Sequence, residues 1–422
     1  MFQLARELGK HSPVVLTASA HLGAWQVSLA DRHLVVESVD ALSDLKNNLQ
    51  GVTLVTGAMD GDRTKPLDGA SLHWLNQFCK SHSIPLLIEA DGSRQKPLKA
   101  WADHEPPIPS FAEMVVGVVG LAGIGKPLGD EFIHRPEIFS ELSGLKMDEI
   151  VTSEALMRVL THFDGGQKNI PVGARKVILF NQADTPELQA VAQSMTQVLL
   201  SSFHSVIVSS LTQGMIFATH EPVAGIILAA GESTRYGRPK QLLDWKGQPF
   251  VRAVAKTALE AGLSPVVVVT GANAGQVEEV VRDLNVMIVR NEEWKSGQGS
   301  SIKAGILSLT PVSLPVGEGI GAAIFLLVDQ PQVNVSILRA LVERHAEGLY
   351  PVVAPMVIDQ RANPVLFDRV TFQDLMTLKG DVGGRAIFHK HRVEYLPWHD
   401  DRLLLDVDTE EQYQRLISND AL

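Results

Sequence analysis

The sequence holds 422 residues, a length that favours two or three domains, and 45% of them are apolar, which is ample for packed cores. Its 37 basic and 48 acidic residues give a net charge of −11, which argues against a nucleic-acid-binding protein. The single cysteine, Cys79, leaves no disulfide within these residues, and the longest apolar runs, 115–125 and 322–328, are too short to span a bilayer. We therefore expect a soluble, cytoplasmic protein without nucleic-acid or membrane partners.

The first half of the sequence alternates between strand and helix patterns. Helical patterns cover 1–10, 70–80 and 186–201. Short apolar, β-branched runs predict strands at 14–16, 52–55, 85–88, 115–119, 177–180 and 206–209. Such alternation predicts a parallel sheet with helices on both faces.

Three polar spots in this half are candidates for chemistry. Glu89 and Asp91 follow an apolar strand, where the metal of a nucleotide is often held. His134 and Arg135 share a predicted loop, and 181–184 (Asn-Gln-Ala-Asp) resembles the base-reading motif of phosphate-loop GTPases with Gln182 in place of lysine. A purely structural role stays open for each of them.

The segment 211–222 carries two turn signals and no sustained periodicity. We therefore predict the join between two domains near 212–223, with domains at 1–212 and 223–422.

The most informative stretch, 225–243, opens the second domain. An apolar strand, 226–228, is followed by the small residues Ala229, Ala230 and Gly231, which let backbone N–H groups approach an anion closely. Arg235 and Lys240 then add two positive charges. This pattern is typical of a site for a nucleoside triphosphate.

Further along, the pattern predicts a doubly wound α/β domain. A helical stripe covers 250–261, a β-branched run predicts a buried strand at 265–270, and a helix and a strand follow up to residue 289. The apolar strand at 322–328 ends in Asp329, a carboxylate well placed to hold Mg²⁺ beside Lys240.

Residues 228–243 match Leu-Ala-Ala-Gly-x-Ser-x-Arg-x-Gly-x-Pro-Lys-Gln-Leu-Leu at every defined position. This string resembles the MobA-like nucleotidyltransferases, and the best fit is the cytidylyltransferase branch that acts on the molybdenum cofactor (the MocA type). Further similar segments are Asp-Gln-Pro at 329–331, Asn-Pro at 363–364, Gly-Asp-Val-Gly-Gly-Arg at 380–385 and Asp-Val-Asp-Thr at 406–409. The resemblance implies a Rossmann-like three-layer sandwich of the GT-A type.

The resemblance also implies site residues. Catalytic roles fall to Arg235, Lys240 and Asp329, and Mg²⁺ would be held by Asp329 with Asp406 or Asp408. The residues implied to bind nucleotide or acceptor are Leu228, Ala229, Ala230, Gly231, Ser233, Gln241, Gly299, Ser300, Ser301, Asn363, Asp381 and Arg385. Two simpler interpretations stay open, namely that Ser300 and Ser301 only cap a helix, and that Asp408 or Thr409 only caps the last helix.

The first half, 1–212, resembles the YqeC-like accessory domain of selenium-dependent hydroxylases, through 86–92, 96–100, 105–106 and 132–137. That family usually opens with a strand and a phosphate loop, and the present sequence starts downstream of where they would lie. We therefore expect an incomplete sheet of the P-loop NTPase type, either degenerate or continued by residues upstream.

The expected reaction is transfer of CMP from CTP to molybdopterin with release of pyrophosphate, for the maturation of molybdenum hydroxylases. Cytidylyl members carry Leu-Ala-Ala-Gly where guanylyl members carry Leu-Ala-Gly-Gly, so Ala230 favours CTP over GTP. The expected partners are CTP or another NTP, the molybdenum cofactor and a molybdenum hydroxylase apoenzyme. Two alternatives are a nucleotidyltransferase with a sugar- or alcohol-phosphate acceptor, and a non-catalytic chaperone that hands the cofactor to a hydroxylase.

Overall fold

The computed structural model describes residues 1–47, 49–233, 236–309 and 319–418. These residues form two compact units, Met1–Ser202 and Phe203–Leu422. The predicted α/β class with parallel sheets is confirmed. Among the described residues, no helix combines the length and the apolar character that a bilayer crossing requires.

The first unit is built on a four-stranded parallel sheet with the strand order β3-β4-β1-β7. Its helices are α1 Phe2–Gly9, α2 Gly69–Ser81, α3 Pro136–Ser143, α4 Ser153–Thr161 and α5 Pro186–Leu199. Its strands are β1 Val14–Ala18, β2 Leu22–Gly23, β3 Arg32–Val35, β4 Val52–Thr56, β5 Met59–Asp60, β6 Arg63–Thr64, β7 Leu86–Glu89, β8 Leu98–Lys99, β9 Met114–Gly120, β10 Ile133–His134 and β11 Arg175–Asn181.

Strand β1 shows why these residues form a central strand. All five of its residues are buried, with Val15 in the core cluster on one face of the sheet and Val14 and Leu16 in the cluster on the other. A strand covered on both faces reads as a continuous apolar run, which is how it was recognised in the sequence. A second parallel pair, β9 and β11, runs in register from Met114 beside Arg175 to Gly120 beside Asn181.

The second unit contains an eight-stranded mixed sheet with the order β18-β17-β14-β19-β22-β20-β21, and β23 also pairs with β20. Its strands are β12 Ser205–Ser210, β13 Met215–His220, β14 Val223–Ala229, β15 Asp244–Trp245, β16 Gln248–Pro249, β17 Val266–Thr270, β18 Met287–Arg290, β19 Ala322–Leu327, β20 Val352–Val357, β21 Gln360–Arg361, β22 Val365–Asp368 and β23 Val393–Pro397. Its helices are α6 Phe250–Glu260, α7 Ala274–Val281, α8 Gln298–Ser308, α9 Val335–Gly348, α10 Phe372–Leu375 and α11 Glu410–Ser418.

The central strand β14 separates two cores, which makes the unit a three-layer sandwich. Ile227 packs with residues of α6, α7 and α9 on one face, whereas Ile226 packs with residues of α8 and α10 on the other. Strands β17, β14 and β19 are parallel neighbours, so their carboxyl ends meet at one edge of the sheet.

The structure differs from expectation at 211–222. Where the sequence indicated only a join, Met215–His220 forms β13, which pairs antiparallel with β12. Met215 and Ile216 are exposed, so this strand lacks the two-sided burial that makes a strand easy to recognise from sequence. The domain bounds 1–212 and 223–422 stay a prediction.

Two buried histidines, His220 on β13 and His345 on α9, predict how stability responds to acid. His345 Nε2 lies 2.7 Å from Asp368 Oδ2, and His220 is 5% exposed. Burial, reinforced by the charge of His345, lowers the pKa of His220 to about 4. Between pH 6.5 and pH 4 the unfolded chain therefore binds a proton that the folded chain does not, and stability falls as the pH falls.

The expected loss in the free energy of unfolding between pH 7 and pH 5 is about 2 kcal/mol from His220 alone. Urea titrations at both pH values measure it. His220→Gln should flatten this dependence, whereas His11→Gln at an exposed position should leave it unchanged. An equal pH dependence in all three proteins would contradict the assignment.

Candidate active site

The functional residues of the second unit gather at the carboxyl edge of its sheet. Leu228 on β14 pairs with Leu327 on β19, so Ala230 and Asp329 leave the sheet side by side. Strand β22 is antiparallel to β19, which brings its start, directly after Asn363, to the same edge. In doubly wound sheets this edge is where ligands bind.

The loop after β14 is supported from within by Gln241 and Ser233. The buried Gln241 amide donates to the carbonyl oxygens of Ala229 (3.1 Å) and Gly231 (2.6 Å). Ser233, whose φ is +60°, accepts a hydrogen bond from the backbone N–H of Lys240 at 3.0 Å. These contacts tie the described residues after β14 to the segment that carries Lys240 and Gln241. The predicted catalytic Arg235 lies outside the described residues.

The charged centre of the site is Lys240 between two carboxylates. Lys240 Nζ lies 2.9 Å from Asp329 Oδ2 and 2.7 Å from Asp408 Oδ1. Burial alone would lower the pKa of Lys240, but the charge of Asp329 and the hydrogen bonds to both carboxylates raise it. The lysine is therefore a permanent cation at neutral pH, held where an anionic ligand would meet it.

Asp406 is the third carboxylate at this point. Its Oδ1 accepts a hydrogen bond of 2.6 Å from Gln330, and the N–H of Val407 donates to the carbonyl of Asp329 at 3.1 Å. Desolvation and the negative charge of Asp329 raise the pKa of Asp406. A carboxylate crowded in this way is stabilised by a cation.

Asp408 belongs to the site rather than to the start of the last helix. Thr409 Oγ1 accepts from Gln412 N at 3.3 Å, and Gln412 Oε1 accepts from the backbone N–H of Asp408 at 2.8 Å. This reciprocal cap at the start of α11 leaves the carboxylate of Asp408 for Lys240. Asp408 is thus linked to Asp329 through Lys240, and the segment of Asp406 is linked to Asp329 through the N–H of Val407, so both alternatives from the sequence stay open as metal ligands.

The predicted site residues Gly299, Ser300 and Ser301 form a Gly-Ser segment at the start of α8. Asn291, which was not among the predicted site residues, holds this segment in place. Its Nδ2 donates to Ser300 Oγ (2.8 Å) and Ser301 Oγ (3.0 Å), and Asn291 is 6% exposed. Gly299 N donates to Gly380 O at 3.1 Å, so the first turn of α8 packs against the 380–385 loop. The two serine hydroxyls are thus hydrogen-bonded within the protein, and this favours a role in shaping the loop.

Gly297 is required where these two segments meet. Its φ is +102°, and a Cβ built on it would lie 2.3 Å from the backbone of Gly380. We expect Gly297→Ala to lower the free energy of unfolding by about 1–3 kcal/mol. Gly275→Ala in α7 is the matched control. Among the described residues, no atom outside its own helix lies within 4 Å of the added Cβ, so this substitution should raise the free energy of unfolding by up to about 1 kcal/mol. Denaturant titration measures both, and equal effects would contradict the close approach.

Three further predicted site residues are Asn363, Asp381 and Arg385, and two of them are hydrogen-bonded to each other. Arg385 Nη2 donates to Asn363 Oδ1 at 3.0 Å, whereas Asp381 is exposed. Ala362, where the resembling family usually carries glycine, is 2% exposed and its N–H donates to Pro355 O at 3.0 Å. The alanine is therefore accommodated by the fold.

No group of three or more His, Cys, Asp or Glu side chains arranged to hold a metal ion is found among the described residues. Asp329 with one neighbouring carboxylate nevertheless suits Mg²⁺, which is usually bound by one or two carboxylates together with phosphate oxygens and water. The donor set therefore fits an ion that arrives with a phosphate ligand.

In the first unit, the polar spots form an ion-pair network. Lys99 pairs with Asp91 and with Glu105 (3.0 Å), and Arg135 makes a two-pronged pair with Glu105. Partial burial alone would raise the pKa of Glu105, but the hydrogen bonds from Arg135 and Lys99 lower it to about 2. Asp91 and Arg135 are thus engaged with other protein charges, whereas His134 and Glu89 lie half-buried beside them.

The sequence placed Gln330 in the Asp-Gln-Pro segment and Asn291 in the stretch 291–305, which the resemblance implies to line the nucleotide, but it gave neither residue a role of its own. Gln330 is 2% exposed and joins the segment after β19 to the segment around Asp406. Its position in the sequence could have indicated this role. A glutamine directly after a carboxylate at the end of a strand has a side chain long enough to reach a neighbouring segment.

The doubly wound sheet, the small-residue loop and the lysine among carboxylates define a Rossmann-like nucleotide-binding domain of the transferase class. The MobA-like NTP transferase domain matches residues 225–395, and the YqeC protein family matches residues 1–137. The chain belongs to the MobA-like NTP transferase family through its second half, and residues 1–137 are similar to the YqeC family.

Two relatives of the second half and one of the first half illustrate what this chain is similar to. Nicotine blue oxidoreductase of Paenarthrobacter nicotinovorans is 33% identical over 204 residues, covering 46% of this chain and 96% of the relative. A probable molybdenum cofactor guanylyltransferase of Bacillus mycoides strain KBAB4 is 27% identical over 210 residues, covering 47% of this chain and 98% of the relative. Protein YqeC of Escherichia coli K12 is 39% identical over 109 residues, covering 26% of this chain and 42% of the relative. The match to YqeC thus spans less than half of that protein.

Proposed function

We propose that the second unit transfers a nucleoside monophosphate from an NTP to the phosphate of molybdopterin, with release of pyrophosphate. The observation that carries the proposal is Lys240 Nζ bound to both Asp329 and Asp408, beside the small-residue loop after β14. Names of relatives alone do not choose the reaction, since one is named an oxidoreductase and another a guanylyltransferase. A cation beside carboxylates at a phosphate loop favours phosphoryl chemistry.

The residues have distinct roles in this proposal. Backbone N–H groups near Ala230 and Gly231, with Arg235, hold the pyrophosphate that leaves. Lys240 neutralises charge on the α-phosphate, for which it exchanges its contacts to the carboxylates. The acceptor phosphate is already anionic at neutral pH, so positioning and charge neutralisation suffice without a strong general base.

Mg²⁺ is the proposed metal, held by Asp329 with Asp406 or Asp408. When bound, it would supply charge neutralisation for phosphate oxygens. Lys240 pairs with Asp329 and with Asp408, whereas Asp406 accepts from a neutral amide and forms no ion pair with a described residue, so its negative charge is left to attract a cation. We therefore favour Asp406 as the second ligand.

CTP is the proposed donor. The support is Ala230, whose methyl group is buried at the end of β14, so close to Gly271 that a Cβ there would lie 2.9 Å from Ala230 Cβ. A glycine at position 230 would open space beside the base. Ala230→Gly should therefore relax the preference for CTP towards GTP.

The test is pyrophosphate release by the purified chain with Mg²⁺ and molybdopterin, comparing CTP, GTP and ATP. Release with CTP alone supports the full proposal, and release with GTP keeps the reaction but overturns the choice of base. Release with a sugar phosphate in place of molybdopterin would overturn the acceptor. Silence with every nucleotide and active cofactor would favour the chaperone, whose partner would be a molybdenum hydroxylase apoenzyme.

A further inference from the structure

Gln330 connects the two carboxylate-bearing segments of the candidate site. It directly follows Asp329, is 2% exposed, and its Nε2 lies 2.6 Å from Asp406 Oδ1 and 3.3 Å from Leu403 O. Asp329 and Asp406 are separated by 77 positions in the sequence, so this side chain joins residues that chain connectivity does not bring together.

The chemistry of the partners determines which way the amide points. An ionised carboxylate and a backbone carbonyl only accept hydrogen bonds, so the nitrogen of Gln330 must face both of them. Its Oε1 is then buried without a hydrogen-bond partner among the described residues. A buried unpaired carbonyl is unfavourable, so the two acceptors, Asp406 Oδ1 and Leu403 O, together hold the amide in this orientation; Gln332 Oε1 is left unpaired in the same way within the described part of the chain.

Gln332, two residues further on, offers a built-in comparison. Its Nε2 donates to Arg402 O (2.9 Å) and Leu405 O (2.6 Å), and so it braces the same segment. Unlike Gln330, it bonds only to backbone carbonyls and to no carboxylate in this segment. Both side chains therefore support the backbone of this segment, and of the two only Gln330 also contacts a carboxylate.

We propose that Gln330 is a positioning residue that orients the carboxylate of Asp406 beside Asp329 for a divalent cation. The inference rests on the proposed function for its metal site. It adds the reason why Asp406 is available for the ion while Asp408 is paired with Lys240. Removing the amide donor would leave Asp406 free to rotate away, with the backbone still held by Gln332.

The experiment compares Gln330→Met with the matched control Gln332→Met in the full chain. Mn²⁺ affinity is measured by electron paramagnetic resonance of the free ion, with and without CTP, and Asp329→Asn identifies the site. We expect Gln330→Met to weaken Mn²⁺ binding by about 10–100-fold, as for other residues that orient metal ligands, and Gln332→Met to change it by less than about threefold. The Mg²⁺ concentration for half-maximal activity should rise with Gln330→Met while kcat at saturating Mg²⁺ changes little.

Thermal unfolding without metal shows whether each variant folds. Should Gln330→Met not fold, Gln330→Asn, which keeps the amide but shortens the side chain, takes its place with the same expected direction. Unchanged Mn²⁺ affinity in the Gln330 variant, an equal loss in the Gln332 variant, or no Asp329-dependent binding in the unsubstituted chain would each overturn the inference. If Mn²⁺ binding depends on Asp329 and Gln330 but pyrophosphate is never released, the proposed function fails and the positioning role stands.

Discussion

Asp329→Asn is expected to lower kcat for pyrophosphate release by about 10²–10³-fold, which corresponds to about 2.7–4 kcal/mol of transition-state stabilisation. Asparagine keeps the size of the side chain but removes the charge that faces Lys240 at 2.9 Å and that the proposed metal site requires. Steady-state kinetics with CTP, Mg²⁺ and molybdopterin measure the effect.

The control for this substitution is Asp359→Asn. Asp359 is exposed in the turn between β20 and β21, and its φ of +60° is a conformation that asparagine also tolerates. This variant should keep kcat within about twofold of the unsubstituted chain. Undiminished turnover in Asp329→Asn would remove the carboxylate from the catalytic assignment.

Lys240→Met should also lower kcat by about 10²–10³-fold, but it should act on metal binding in the opposite direction. Lys240 neutralises both Asp329 and Asp408, so its removal leaves two carboxylates with more negative potential for a divalent cation. We expect tighter Mn²⁺ binding together with slower turnover. Electron paramagnetic resonance and kinetics on the same preparation measure the two effects.

Lys256→Met on α6 is the matched control, and it should alter neither quantity. Weaker Mn²⁺ binding in Lys240→Met would show that the lysine supports the fold of the site instead of competing with the cation. Full activity with tighter binding would show that Lys240 has no role at the α-phosphate.

The local patterns of the chain predicted most of the sheet. The strands at 14–16, 52–55, 115–119 and 177–180 all recur in β1, β4, β9 and β11. Strands β1 and β4 are buried at every residue, and burial on both faces makes such strands apolar throughout, which needs no knowledge of their neighbours. Strand β9 was predicted from its apolar run, although Met114, Val116 and Val118 are exposed. The second strand of the hairpin, β13, was not predicted.

Two predicted site residues at strand or loop ends lie together in the structure, while their catalytic roles stay predictions. Lys240 and Asp329 were singled out by their positions after a small-residue loop and an apolar strand, and the structure brings them within 2.9 Å. For Gln241 and Ser301 the sequence suggested ligand contacts, whereas the structure shows both side chains buried and bonded within the protein. Whether they also meet a ligand stays a prediction.

By itself, the sequence determined the α/β class, the loop after β14 and the residue types at the ends of its parallel strands, because these depend on periodicity and on neighbouring residues. The tertiary structure alone decided which side chains each carboxylate contacts. Lys240 and Asp408 are 168 positions apart in the sequence, and Gln330 and Asp406 are 76 positions apart. The physical reason is that a hydrogen bond or ion pair depends on distances of about 3 Å in space. Only the path of the chain through the sheet, with β22 running against β19 and the last segment returning to Asp329, sets those distances.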